Sequence, residues 1–414
     1  MVFFVIIILG IYISIKNKQA SQLAELARIK NEYSVEDEQE LKNMYEQTIK
    51  EKQIQSLEEN PWSGNVEPIT VGAGTEDSPY IIENPEQLAF LSQEVNNGNN
   101  YEGKFFKITN SINLDNKKFT PIGIGTNNEM QEDEWYTNQN SFKGIIDGQN
   151  NIITNINIEE NNIYGVGLVG ILDEGGVIKN LQIYNGAIIG KERVGAVVGA
   201  CRGTVENCLN KAQVIAQVDE STTNKGGKTI GGIVGYLSKG QIINSRNEGK
   251  VIADTLAGGI VGINKATIEN CINIGQIKVN SSENIGQAGG IVAKTLENSL
   301  TNYVYNSGNV LVENNENGND ITGGIVGILE AGNLKNAYNK ASISGSEVIG
   351  AIIGQKKNKG IVENTYYTNQ SIKGIGSQSD TQDIITIEDS KGVTEKTTEN
   401  IENLEEFVNW IDNK

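Results

Sequence analysis

Apolar positions along this 414-residue chain fall into four successive patterns. The first is an almost unbroken apolar run, VFFVIIILGIYISI, from Val2 to Ile15. It is shorter than the roughly 20 residues of a membrane span. No basic segment precedes it and no A-x-A site follows, so an uncleaved N-terminal anchor fits better than a cleaved signal peptide. Lys16 and Lys18 follow directly and would favour the cytoplasmic side. The second pattern is helical. Residues 16–60 lack Gly and Pro, and Leu41, Met44, Tyr45 and Ile49 make one stripe. This predicts a stalk or oligomerisation helix, followed by a linker over 61–77 (PWSGNVEPITVGAGTED).

The third pattern is one short helix leading into strands. Asn84-Pro85-Glu86-Gln87 has an N-cap, a proline at the first helical position and a capping-box Gln; Leu88, Leu91 and Val95 share a face, and Asn97-Gly98 ends it. So short an amphipathic helix must cover something. The period then drops to two in KFFKITNSINL, FTPIG and FKGIIDGQNNIITNINI.

The fourth pattern fills most of the chain. A Gly-flanked apolar core recurs as GLVG (167–170), GAVVG (195–199), GGIVG (231–235), GGIVG (258–262), GGIVA (289–293), GGIVG (323–327) and GAIIG (350–354), about 31 residues apart on average. Each core is followed by an asparagine: Asn180, Asn207, Asn244, Asn270, Asn302, Asn336 and Asn364. A second one follows three to five residues later: Asn185, Asn210, Asn247, Asn273, Asn306, Asn339 and Asn369. Such units, with about three short strands each, predict an all-β fold, a right-handed parallel β-helix (solenoid). Val and Ile would stack on their copies inside, Gly would supply positive φ and close packing, and the first asparagines would form a structural amide ladder. The 84–98 helix and an apolar stripe in ENIENLEEFVNWIDNK would cap the two ends. The expected organisation is anchor 1–15, stalk 16–60, linker 61–77, β-helix 78–372 and acidic tail 373–414.

Composition narrows the function. The net charge of −18 argues against nucleic acid as a partner. With no His, Ser-His and Cys-His nucleophile pairs and HExxH zinc sites are excluded. Three Cys cannot staple a chain of this size; Cys201 and Cys208 are the one pair spaced for a bridge, and buried thiols are the simpler reading. The acidic run EMQEDEW (129–135) lacks calcium-loop spacing. No metal, cofactor or catalytic residue is expected.

These residues resemble a known family. The repeats, together with PYIIENPEQLAFLSQEVNNGNNYEGKFFKITNSINL, FTPIG and FKGIIDGQNNIITNINI upstream, look like the GLUG-motif repeats of bacterial cell-surface proteins over about residues 78–372. The resemblance implies a right-handed β-helix on surface or secreted proteins, often adhesin-like, and supplies no catalytic residues. Some relatives carry an immunoglobulin-A-type metallopeptidase domain, which a chain without His cannot contain. The sortase signal LPxTG is absent as well.

Late tyrosines, Tyr303, Tyr305, Tyr338, Tyr366 and Tyr367, form a possible ligand surface, since an exposed aromatic stripe suits sugar or protein. The variable loops 218–229, 279–288 and 312–320 would project along one edge. The expected function is an exported or surface-anchored bacterial binding or structural module. Its partner would be a surface glycan or protein, its location the cell surface, and its membrane attachment residues 2–15. A carbohydrate-active β-helix enzyme and a pilin-like subunit are the alternatives.

Overall fold

The computed structural model describes residue 57 and residues 60–125, 140–216, 229–281, 285–313, 319–345, 347–368, 372–378 and 393–395. The anchor, the stalk, the run 129–135, most of the loop 218–229, and the C-terminal helix lie outside these residues, as do 282–284 and 314–318 of the other loops.

From Pro61 onward the chain is one compact unit. It is a parallel β-solenoid. A 27-stranded sheet winds through it, and a second sheet of six short strands completes the cross-section. Residues 61–77 do not form the expected free linker. Trp62 is buried, donates its backbone amide to Asn113, and meets Phe119 edge-on at 5.8 Å. Helix α1 (Pro85–Asn96) follows, with the Asn84 side chain accepting the Gln87 amide at 2.9 Å and the Gln87 side chain accepting the Glu83 amide at 2.8 Å. Leu88, Leu91 and Val95 enter the hydrophobic core.

Register repeats from coil to coil. Val169, Val198, Val234, Val261, Val292, Val326, Ile353 and Ile375 stand over one another in a single column. Ile178, Val205, Ile242, Ile268, Thr301, Leu334 and Val362 form a second interior column. Inward residues pack against copies of themselves, so a modest apolar fraction is enough for a continuous core. The columns run past the expected boundary at 372: Ile375–Gln378 pairs with Ile353–Lys356, and Val393–Glu395 pairs with Thr365–Tyr367.

The Gly-rich core is a corner rather than one strand. Ile230–Gly231 belongs to the six-stranded sheet, Gly232 and Ile233 bend, and Val234–Leu237 begins a strand of the large sheet. The coil that begins at this corner therefore carries five strand segments where the sequence suggested three, continuing through Gln241–Ile243, Arg246–Asn247 and Val251–Ala253; in later coils neighbouring segments merge, as in Thr267–Asn273 and Val326–Asn339. The glycines of this corner are required by close approach and not by positive φ. A Cβ on Gly259 would lie 2.1 Å from the Gly290 carbonyl oxygen and 2.4 Å from the Asn273 side chain. The left-handed positions belong instead to asparagine: Asn180, Asn207, Asn244, Asn270, Asn336 and Asn364 have φ between 47 and 54°. Asn is among the few L-residues that adopt this region readily.

A continuous amide ladder runs through the interior, on the second asparagine of the motif. Asn210 donates to Asn247, Asn247 to Asn273, and Asn273 to Asn306, each at 2.8 Å, and Asn306 donates to Asn339 at 3.0 Å. The second Nδ2 hydrogen of each reaches the carbonyl two residues on, as from Asn273 to Gly275 at 2.9 Å. All five are buried, with at most 1% exposure, so each buried amide finds partners in its own turn and in the next coil. The ladder explains the N-x-G turn: a Cβ on Gly275 would lie 2.8 Å from the Asn247 amide nitrogen one coil below. Alanine takes the glycine's place at Ala212 and Ala341, and both turns keep the two contacts to their asparagine, at 3.0 and 2.9 Å for Asn210 and 3.3 Å each for Asn339.

Cys201, Cys208 and Cys271 are all free and buried. No bridge joins Cys201 to Cys208. Burial pushes the Cys201 and Cys208 thiols up to about 12. The Cys208 amide donates to Ser245, so that serine lies between the two thiol-bearing coils.

Three outcomes follow. Replacing Val261 with Asp places an unpaired carboxylate in a fully buried column and should cost about 3 kcal/mol or more, read as a lost or strongly lowered thermal transition. Asn273→Leu leaves Asn247 and Asn306 each short of a partner and should cost about 2–4 kcal/mol in denaturant melts, whereas Asn270→Gly at a left-handed corner should change stability by about 0.5 kcal/mol or less. The thiols of the folded protein should resist alkylation at pH 8, and all three should react after denaturation; rapid labelling of the folded chain would contradict their burial.

Candidate functional groove

The buried ladder sets the position of the surface features around it. In every coil the left-handed corner lies three residues before the ladder position: Asn207 before Asn210, Asn244 before Asn247, Asn270 before Asn273, and Asn336 before Asn339. In the coil of Asn306 this position is Tyr303, with φ 49°, and not Asn302. Asn302 pairs instead with Glu269 and Lys335, one residue earlier in the strand column. Of the seven asparagines expected as the ladder, six therefore sit at the left-handed corner, and Tyr303 takes the corner in place of Asn302. The four-residue gap from Asn302 to Asn306, against three after Asn207, Asn244, Asn270 and Asn336, is the signal in the sequence.

Corner side chains form two short hydrogen-bonded runs. In the lower one, Asn207 donates to Asn180 at 2.8 Å and Asn180 to Asp147 at 2.9 Å. Burial pushes the Asp147 carboxyl up, but hydrogen bonds from Asn180 and Gln149, with Lys179 alongside, outweigh it and hold the group below its ordinary value. In the upper run, Asn364 donates to Asn336 at 3.2 Å, Asn336 to Asn302 at 2.9 Å, and Asn302 to Glu269 at 3.2 Å. Asn270 stands between the runs, without a side-chain hydrogen bond among the described residues.

Two residues after each corner, one side chain faces outward between two inward neighbours. These residues form the column Gln182, Leu209, Arg246, Ile272, Tyr305, Tyr338, Tyr366. Between the corner column and the outward column a groove runs over the coils from Asn150 to Ile272. Its volume is about 180 Å³, and it is lined by Asn150, Gln182, Asn207, Asn244, Arg246 and Asn270 among others. Farther along, Tyr305 and Tyr338 stack at 5.3 Å with ring planes tilted by 44°, and Tyr366 stands over Tyr338.

The five tyrosines do not make one exposed stripe. Tyr303, Tyr305 and Tyr366 are half-buried, Tyr338 is buried between its neighbours, and Tyr367 points inward. Tyr367 takes the ladder position above Asn339, where the run of asparagines stops. Burial raises the Tyr305 hydroxyl above its ordinary value. Arg246, at the base of the groove, carries no motif of its own in the sequence; only its register makes it visible. Among the described residues no cluster of three or more metal-ligating side chains is present, and no helix is long and apolar enough to cross a membrane.

Comparison with known proteins gives partial likenesses. No protein-family profile matches the chain, so the GLUG resemblance stands on its motifs alone. Halomucin of Haloquadratum walsbyi is 28% identical over 181 residues, which are 42% of this chain and 2% of halomucin. A candidate Gly-rich membrane protein of Evansella cellulosilytica is 32% identical over 145 residues, 34% of this chain and 15% of that protein. The chain thus spans a small fraction of the length of these curated relatives. Among solved structures, a candidate immunoglobulin A1 protease from Bacteroides ovatus is similar over 82% of this chain and 89% of its own, at 19% identity and a TM-score of 0.45. That likeness is too distant to carry an activity across.

Proposed function

We propose that this chain is the exposed binding solenoid of an exported, surface-attached bacterial protein, and that its axial groove holds an extended glycan in an adhesive role. The observation that carries the reading is the groove itself: amide-bearing corners on one side and a stacked column ending in Tyr305, Tyr338 and Tyr366 on the other. Amides suit the hydroxyls of a sugar, and aromatic faces suit its C–H surfaces. Coils recur about every 4.8 Å, so a linear polymer lying along the axis would meet the same kind of contact at level after level. Surface attachment is supported by the relative named as a membrane protein and by the apolar run over residues 2–15, which would hold the chain at the membrane.

Affinity electrophoresis of the full chain through gels containing linear polysaccharides tests this reading. Retardation by at least one polymer is expected. Tyr305→Ala and Tyr366→Ala should each weaken it about two- to tenfold while leaving the melting transition in place. No retardation by any polymer, or retardation that both variants retain in full, would remove the groove as the binding site.

A further inference from the structure

Arg246 is the single cation of the outward column. Its side chain is 33% exposed, and it lines the groove. Its Nε lies 2.8 Å from Glu248 Oε1, an ion pair, yet out of line for a hydrogen bond, so this buried N–H has no acceptor. Its terminal nitrogens have no hydrogen-bond partner among the described residues either. Glu248 is shared, because its other oxygen is 2.9 Å from Lys211 Nζ. Burial disfavours the Lys211 ammonium, but Glu248 and Tyr184 outweigh that and keep it charged. Two cations around one carboxylate leave a local excess of one positive charge in a chain of net −18. Glu206 and Glu269 flank this coil on the far side of the corner and do not line the groove.

A guanidinium fork with idle donors is matched to a carboxylate, which accepts two parallel N–H bonds. Asn270, whose side-chain amide has no hydrogen-bond partner among the described residues, and Asn244 stand on the adjacent corners of the same groove. From this geometry we infer that Arg246 forms an anionic subsite, and that the groove takes a carboxylate-bearing glycan, one uronate-like unit seated on Arg246 and its neighbours running toward Tyr305, Tyr338 and Tyr366. The inference rests on the glycan reading of the groove and narrows it. A glycan fits better than an acidic peptide because the groove is lined by the amides of Asn150, Gln182, Asn207, Asn244 and Asn270, which suit hydroxyls, and the tyrosine column lies farther along the same row.

The test compares polygalacturonate with its carboxyl-reduced form, using the full chain and the variants R246Q, R246K and Y366A, each checked for an unchanged melting transition. The native chain should hold the acidic polymer about tenfold more tightly than the reduced one, and added salt should weaken only the acidic complex. R246Q should abolish the preference; R246K, which keeps the charge but loses the fork, should restore part of it. Equal retention of both polymers by the native chain, or a preference that survives R246Q, overturns the anionic subsite. If the reduced polymer binds and Y366A weakens it, the groove stands and the subsite alone falls. If neither polymer binds, both fall. Polyglutamate competing as well as polygalacturonate would overturn the assignment to a glycan.

Discussion

A line of buried amides fixes nearly everything else in this molecule. Four hydrogen bonds link five asparagines, Asn210 to Asn339, from coil to coil, and each asparagine closes a further bond on its own turn. A buried amide with a missing partner costs about 1–3 kcal/mol, so the ladder tolerates no slip of one coil against the next. Apolar columns alone would not impose that. Val and Ile pack acceptably with several neighbours, whereas an amide has few directions in which it is satisfied.

Both hallmarks of the repeat descend from this constraint. The corner glycine opposite each ladder position is there because a Cβ would strike the asparagine, as at Gly259 against Asn273. The glycine of the N-x-G turn keeps clear of the asparagine one coil below. Three residues upstream the chain must turn through the left-handed region, and two residues after that turn a side chain must face out. Groove and core are thus two faces of one register, and the positions of Arg246 and Tyr305 are set from inside the solenoid.

Much of this was legible in the sequence. The seven Gly-flanked cores announce coils of similar length, and their Val positions do stack in one column. The first asparagines read as the ladder and Gly as the source of positive φ; six of those asparagines lie instead at left-handed corners, and the seventh corner falls on Tyr303 because the turn keeps its three-residue distance to Asn306. Ladder and corner were exchanged: both carry asparagine, and composition alone does not say which of the two is buried. Residues 61–77 read as a linker because Pro, Gly and Ser dominate there, yet Trp62 and the backbone of Val71 are tied to the first coils. The strand at Ile375–Gln378 carries only a shortened Gly-Ile-Gly core (374–376) and that at Val393–Glu395 none, so both are recognised by their pairing. Arg246 could not be singled out, since a lone arginine has no pattern; it gains meaning from the side chains above and below it.

The ladder has a consequence for how such a protein can change through descent. Every rung amide bonds only to the coil before and the coil after, and those partners are chemically the same at each interior step. Duplication or deletion of one whole coil therefore rejoins identical ends, and the rod grows or shortens by one unit without leaving a broken bond inside. A genetic change of any other length would put the amides out of step, so variation in reach should accumulate in whole coils.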